Sequence, residues 1–182
     1  MPVNRKGLPR AEREAAVIDE AERLFLARGF HETAISDIAK ALELTSNAIT
    51  WYFPTKDDLL SAVLQRWTER TTASLQGQAA AETTLTALAQ ALEAFRPYRR
   101  VYAVVHERMH QSAAVHMWHD QSRQLLLALA APLLEQVCAD QDRQGTLLPL
   151  LVDLIEIKLL HYQEDDRPVT QLLDGLLNDL LA

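Results

Sequence analysis

Apolar positions recur at helical spacing along almost the whole chain, and the polar residues between them mark where helices start and stop. Val17, Ile18, Ala21, Leu24 and Phe25 form the first stripe, which predicts a helix over residues 9–28 closed by Gly29. Ile35, Ile38, Ala39 and Leu42 predict a short second helix with Thr33 as its N-cap. Glu43-Leu44 makes a tight connection, Thr45 caps a third helix over 46–52, and Pro54 stops it. Thr55 then caps a long fourth helix reaching about Gln76, with Asp57 and Asp58 at the end of the dipole that favours negative charge. Further helices are predicted over 84–95, 98–110, 112–140, 147–162 and 169–181, with a polar loop over 140–145. Period-two alternation is nearly missing, so the fold class is all-α.

Composition sharpens this picture. Hydrophobic residues make up 48% of the 182 positions, enough for a core, and only 5 Gly and 7 Pro interrupt the helices. No run approaches a membrane span and no basic-then-apolar leader opens the chain, so a cytoplasmic protein with no membrane partner is expected. Cys138, the single cysteine, admits no internal disulfide and reads as a small buried hydrophobe. The net charge of −7 runs against nucleic-acid binding. However, Arg5, Lys6, Arg10 and Arg13 crowd the start, whereas residues 61–182 hold 10 Lys/Arg against 15 Asp/Glu. A locally basic edge is compatible with an acidic whole.

The second and third helices, joined by a tight turn, have the form of a helix-turn-helix. Ile38 and Leu42 supply the packing face of the first, Leu44 the inward residue of the turn, and Ile49 and Phe53 the buried side of the second. Ser46, Asn47, Thr50, Trp51 and Tyr52 fill the exposed side. At these positions the sequence resembles the DNA-binding domain of the tetracycline-repressor (TetR) family. The likeness runs through Ala21-Glu22-Arg23-Leu24-Phe25, Arg28-Gly29-Phe30, Thr33, Asp37-Ile38-Ala39, Leu44-Thr45 and the unbroken run from Ile49 to Leu59. It covers about residues 11–65.

The resemblance implies an N-terminal three-helix helix-turn-helix DNA-binding domain over 1–55 and a C-terminal helical bundle over 56–182 for effector binding and dimerisation. It implies that Ser46, Asn47 and Thr50 face the major groove, and that Thr33, Trp51, Tyr52 and Lys56 meet the phosphate backbone. Ser36 and Thr45 complete the candidate DNA-binding set. Two positions depart from the family pattern: Thr50 stands where tyrosine is usual, and Ser36 where a longer basic or polar residue often reaches DNA. Both shorten reach.

The family resemblance places an effector in the C-terminal bundle. Tyr98, Tyr102, Val105 and Met109 recur at near-helical spacing, with Trp67, His106 and Trp118 as further candidates. Such a pocket suits a small, mainly hydrophobic ligand, while the same stripe also reads as plain core. Leu150, Leu151, Leu154, Ile155, Ile157, Leu159, Leu172, Leu173, Leu176, Leu177 and Leu180 amount to more apolar surface than the last two helices are expected to bury between themselves. A homodimer through those helices would cover it.

His106-Glu107-Arg108-Met109-His110 also spells the H-E-x-x-H of zinc proteases, with His116 and His119 downstream. Ala113 occupies the place of the glycine that such sites need before a third ligand, and no strands are expected for the helix to pack on. The sequence therefore reads as a regulator that binds operator DNA as a homodimer, without cofactor, metal or catalytic residue. An effector-independent or architectural DNA-binding protein and a zinc metalloenzyme are the alternatives.

Overall fold

The computed structural model describes residues 9–78, 84–161 and 167–181. Within them every element is helical: α1 Arg10–Arg28, α2 Ile35–Ala41, α3 Ser46–Thr50, α4 Lys56–Gln78, α5 Thr84–Phe95, α6 Arg99–Arg108, α7 Ala113–Val137, α8 Gln141–Ile155 and α9 Val169–Leu181. A 3-10 turn, Arg96–Tyr98, precedes α6, and a π-helical turn, Glu156–His161, follows α8. No described helix is long and apolar enough to cross a membrane. The chain forms two compact units. One takes the described residues up to Trp67 together with Val104–Trp118; the other takes Thr68–Ala103 and the chain from His119 onward.

In the first unit α1 buries Val17, Ala21, Leu24 and Phe25, α2 packs on α1, and α3 packs on α2. Gly29 ends α1 with φ 99° and ψ 160°, a positive but extended conformation that a side chain would strain; its N–H donates to Phe25 at 2.9 Å. The capping of α2 differs from the sequence expectation. Thr33 is fully buried, and its hydroxyl donates back to the Gly29 carbonyl at 2.8 Å and the Leu24 carbonyl at 3.4 Å. Ala34 is the N-cap instead, its N–H held by the Asp37 carboxylate at 2.9 Å. Thr33 thus closes α1 rather than opening α2.

The turn into α3 is a Schellman closure with glutamate in the left-handed position. Glu43 sits at φ 57°, the Leu44 N–H reaches the Ala39 carbonyl at 2.8 Å, and the Glu43 N–H reaches Lys40 at 3.3 Å. Thr45 accepts the Ala48 N–H at 3.2 Å. Thr55 and Asp58 form a reciprocal capping box for α4 at 3.1 and 2.9 Å. Three ties secure the rest of the unit. Arg66 on α4 pairs with Asp19 on α1 and donates to the Ala15 carbonyl at 3.1 Å. Arg108 grips buried Asp57 in a two-pronged fork at 3.0 and 2.6 Å. Ser61 donates to the Ala114 carbonyl at 3.1 Å.

In the second unit α9 packs on α5 and α8. The sequence expectation that the last two helices cannot bury their own apolar surface is corrected here. Leu151, Ile155, Leu172, Leu173, Leu176 and Leu177 are all buried within one chain, because α5 supplies a third packing partner. Leu150 and Ile157 remain 46% and 52% exposed, and Leu154 is half-buried. Leu159 lies outside the described side chains. The expected loop over 140–145 is also corrected. Asp140 caps the N–H groups of Asp142 and Arg143 at 3.0 and 3.1 Å, so α8 begins at Gln141 and runs through Gly145. Cys138 is buried against Leu134 and Leu147.

A polar knot lies inside this unit. The Tyr102 hydroxyl donates to Glu156 at 3.4 Å, and Arg123 bridges Glu156 at 3.1 Å and Asp153 at 2.5 Å. Burial, and then the charge of Glu156, push the Tyr102 hydroxyl far above its ordinary pKa, so it stays a donor. Removing the cation leaves the Glu156 carboxylate uncompensated. Arg123→Met is expected to lower unfolding free energy by about 2–4 kcal/mol, somewhat below a fully buried pair because 26% of the Arg123 side chain stays exposed. Arg123→Met with Glu156→Gln is expected to recover most of that loss, and denaturant melts of both variants measure it.

Candidate nucleic-acid interface

The five residues of α3 divide sharply by environment. Ile49 is fully buried and Phe53, just beyond, is 6% exposed, which turns Asn47, Thr50 and Trp51 to solvent. Ser46 is half-buried at the amino end. Asn47 has both amide groups available along the outer face, the bidentate donor–acceptor pair that matches an adenine edge. Thr50 donates its hydroxyl to the Asn47 carbonyl at 3.3 Å, which leaves oxygen lone pairs and a methyl facing out. Thr45 is exposed but its oxygen already accepts the Ala48 N–H. Ser36 is exposed on α2.

Around this face sits a collar of aromatic and cationic groups. Trp51 is 63% exposed and meets half-buried Tyr52 edge-on, ring centroids 4.8 Å apart. The Lys56 ammonium lies 4.1 Å from the centre of the Phe30 ring. Partial burial lowers its pKa first, with the Arg108 charge acting the same way against Asp57 and Glu32. Arg10, in sequence only one member of a basic cluster at the start of the chain, stacks on the Trp51 ring at 4.5 Å. No sequence pattern links residues forty positions apart; only the fold of α1 beside α3 does so.

Thr33 is the member of the candidate set that the fold removes from the surface. With no exposure and its hydroxyl committed to two carbonyls, its side chain has no path to a phosphate.

The effector candidates fall on both compact units. Tyr98 and Tyr102 belong to the second, packed with Phe95 at ring separations of 6.0 and 5.0 Å, and both are buried. Trp67, Val105, His106, Met109 and Trp118 belong to the first, where Val105 and Trp118 are buried core. An open cavity of about 530 Å³ in the second unit is lined by other residues, among them Gln90, Glu93, Arg96 and Thr170. As for the H-E-x-x-H run, Glu107 bonds His31 at 3.0 Å and Arg108 holds Asp57. Among the described residues no three His, Cys, Asp or Glu side chains converge on a point that could hold a metal.

An all-helical chain with a capped, outward-facing third helix on a three-helix base is a helix-turn-helix protein. Residues 17–63 match the model of the tetR family of bacterial regulatory proteins, so this segment is a TetR-family DNA-binding domain. The HTH-type transcriptional regulator TtgR of Pseudomonas putida is 42% identical over 53 residues, 29% of this chain and 25% of that protein. The chain thus spans about a fifth to a quarter of the curated relatives it matches. Over its whole length it has the TetR-like fold. A TetR-like transcriptional regulator from Rhodococcus sp. RHA1 covers 96% of this chain and 98% of its own at 28% identity, with a TM-score of 0.65. The TetR-family repressor FadR of Thermus thermophilus, solved with lauroyl-CoA, covers 93% of each chain at 20% identity, with a TM-score of 0.65.

Thr33→Val is expected to lower stability by about 1–2 kcal/mol, for the missing hydroxyl bonds, and to leave the salt dependence of DNA binding unchanged. Thermal melts and duplex titrations read the two effects separately.

Proposed function

We propose that this chain is a transcriptional repressor that binds a palindromic operator as a homodimer and responds to a small effector in its C-terminal bundle. The observation that carries the reading is the division of α3, with Ile49 buried and Asn47 and Thr50 facing out, within a TetR-family domain. Ser46, Asn47 and Thr50 read base edges; Tyr52 and Lys56 contact phosphates. The relatives are regulators, which supports a binding function over an enzymatic one. Lauroyl-CoA in a neighbour of the same fold supports a small ligand as the signal. Such a ligand acts through its differential affinity for the DNA-competent and DNA-incompetent states. Selection of bound sequences from a random duplex pool tests the reading. A recovered palindrome supports it; absence of any sequence preference overturns it.

With that operator, Asn47→Ala is expected to reduce the preference over scrambled duplex by about 1–3 kcal/mol per half-site, so about 2–6 kcal/mol per dimer, with little change in salt slope. Lys56→Ala is expected to weaken both duplexes together and to flatten the log–log salt slope by about 0.9 for each phosphate no longer neutralised, so about 1.8 per dimer.

For the dimer, the stripe Leu150, Leu154 and Ile157 on α8 and the turn after it offers apolar surface that a single chain does not fully cover. Sedimentation at micromolar concentration is expected to show a dimer for the wild type. The paired substitution Leu150→Glu and Ile157→Lys is expected to give a folded monomer with much weaker operator binding.

A further inference from the structure

Arg10 is the first residue of α1, and Arg13 follows one turn later. Cations at that end of a helix face the positive pole of the dipole, an arrangement that needs compensation. Among the described residues neither arginine has a carboxylate within ion-pair distance. What Arg10 has is an aromatic face. Its guanidinium carbon lies 4.5 Å from the Trp51 ring centre and 5.9 Å from that of Tyr52. Trp51 in turn caps the carboxyl end of α3, 63% exposed, with its plane fixed edge-on against Tyr52.

We propose that Arg10 is a DNA-phosphate contact held in place by Trp51, whose indole is a shelf for the guanidinium rather than a contact in itself. A planar guanidinium stacks one face on an aromatic ring while its N–H groups stay in the guanidinium plane, free to fork onto phosphate oxygens. A bare arginine at a helix start would lose rotamer freedom when it met DNA; one already stacked has lost much of it beforehand. The contact lies beside the carboxyl end of α3, whereas Asn47 lies near its amino end, so Arg10 anchors and carries no sequence information. The inference rests on the DNA-binding reading above.

The test titrates full-length protein against the selected operator and a scrambled duplex of equal length at several salt concentrations. Arg10→Gln is expected to weaken both duplexes alike and to flatten the log–log salt slope by about 0.9 per phosphate, about 1.8 per dimer. Trp51→Leu is expected to weaken binding of the dimer about 5- to 30-fold, the loss of one exposed cation–π stack in each protomer. Trp51→Phe keeps an aromatic face without an N–H donor and is expected to retain most of the affinity. In an Arg10→Gln background, Trp51→Leu is expected to add nothing. Both side chains are at the surface, so circular-dichroism melts should match the wild type. A wild-type slope in Arg10→Gln overturns the proposal while leaving the DNA-binding reading intact. Equal losses in Trp51→Phe and Trp51→Leu, or a full Trp51 effect without Arg10, would make Trp51 itself the contact and overturn it too. If the wild-type protein binds neither duplex, both readings fall together.

Discussion

Helix α3 is five residues long, well under the ~12–15 at which a helix persists alone in water, so its shape is imposed by what it packs against. Burial of Ile49, worth about 1.5–3 kcal/mol, and of Phe53 behind it holds the helix down on α2. The Thr45 cap fixes where it starts, and the closure at Glu43 fixes the angle at which it leaves α2. α2 lies on α1, α1 is tied to α4 by Arg66, and α4 is gripped at its first turn by Arg108. Every outward side chain on α3 takes its direction from that chain of supports.

Charge divides between the two units in a similar way. The acidic excess of the whole chain coexists with the cations Arg10, Arg13 and Lys56 of the first unit. Two of these cations rest on aromatic rings rather than on carboxylates, which leaves their charge available to an incoming polyanion. In the second unit the reverse holds. Arg123 is saturated by Asp153 and Glu156, and the knot lies where α8 passes into its π-helical turn. That arrangement fixes internal geometry and offers little to a partner.

Much of the fold was legible in the sequence because caps and periodicity are local. Thr45 and Thr55 cap as expected, and α5 and α9 begin and end where the apolar stripes do. The misreadings share one origin, a local pattern settled by distant atoms. Thr33 resembles an N-cap, yet the carbonyls of Leu24 and Gly29 take its hydroxyl. The first turn and a half of α8 is almost wholly solvated, so no apolar period betrays it. Tyr98 and Tyr102 both pack on Phe95, and an aromatic stripe of this kind reads alike in the sequence as core and as ligand wall. The H-E-x-x-H run holds its place through contacts that no spacing rule encodes, Glu107 with His31 and Arg108 with Asp57.

The compact unit that contains α3 also includes Val104–Trp118, a segment far outside the matched residues 17–63. A chimaera that transplanted only the matched stretch, or everything up to Trp67, would leave behind Arg108 and the backbone that receives Ser61. The Asp57 carboxylate, 8% exposed, would arrive in its new host without its counter-ion, one residue from Lys56. Exchange of DNA specificity between such proteins therefore calls for a discontinuous graft: the reading head is a unit in space but not in sequence.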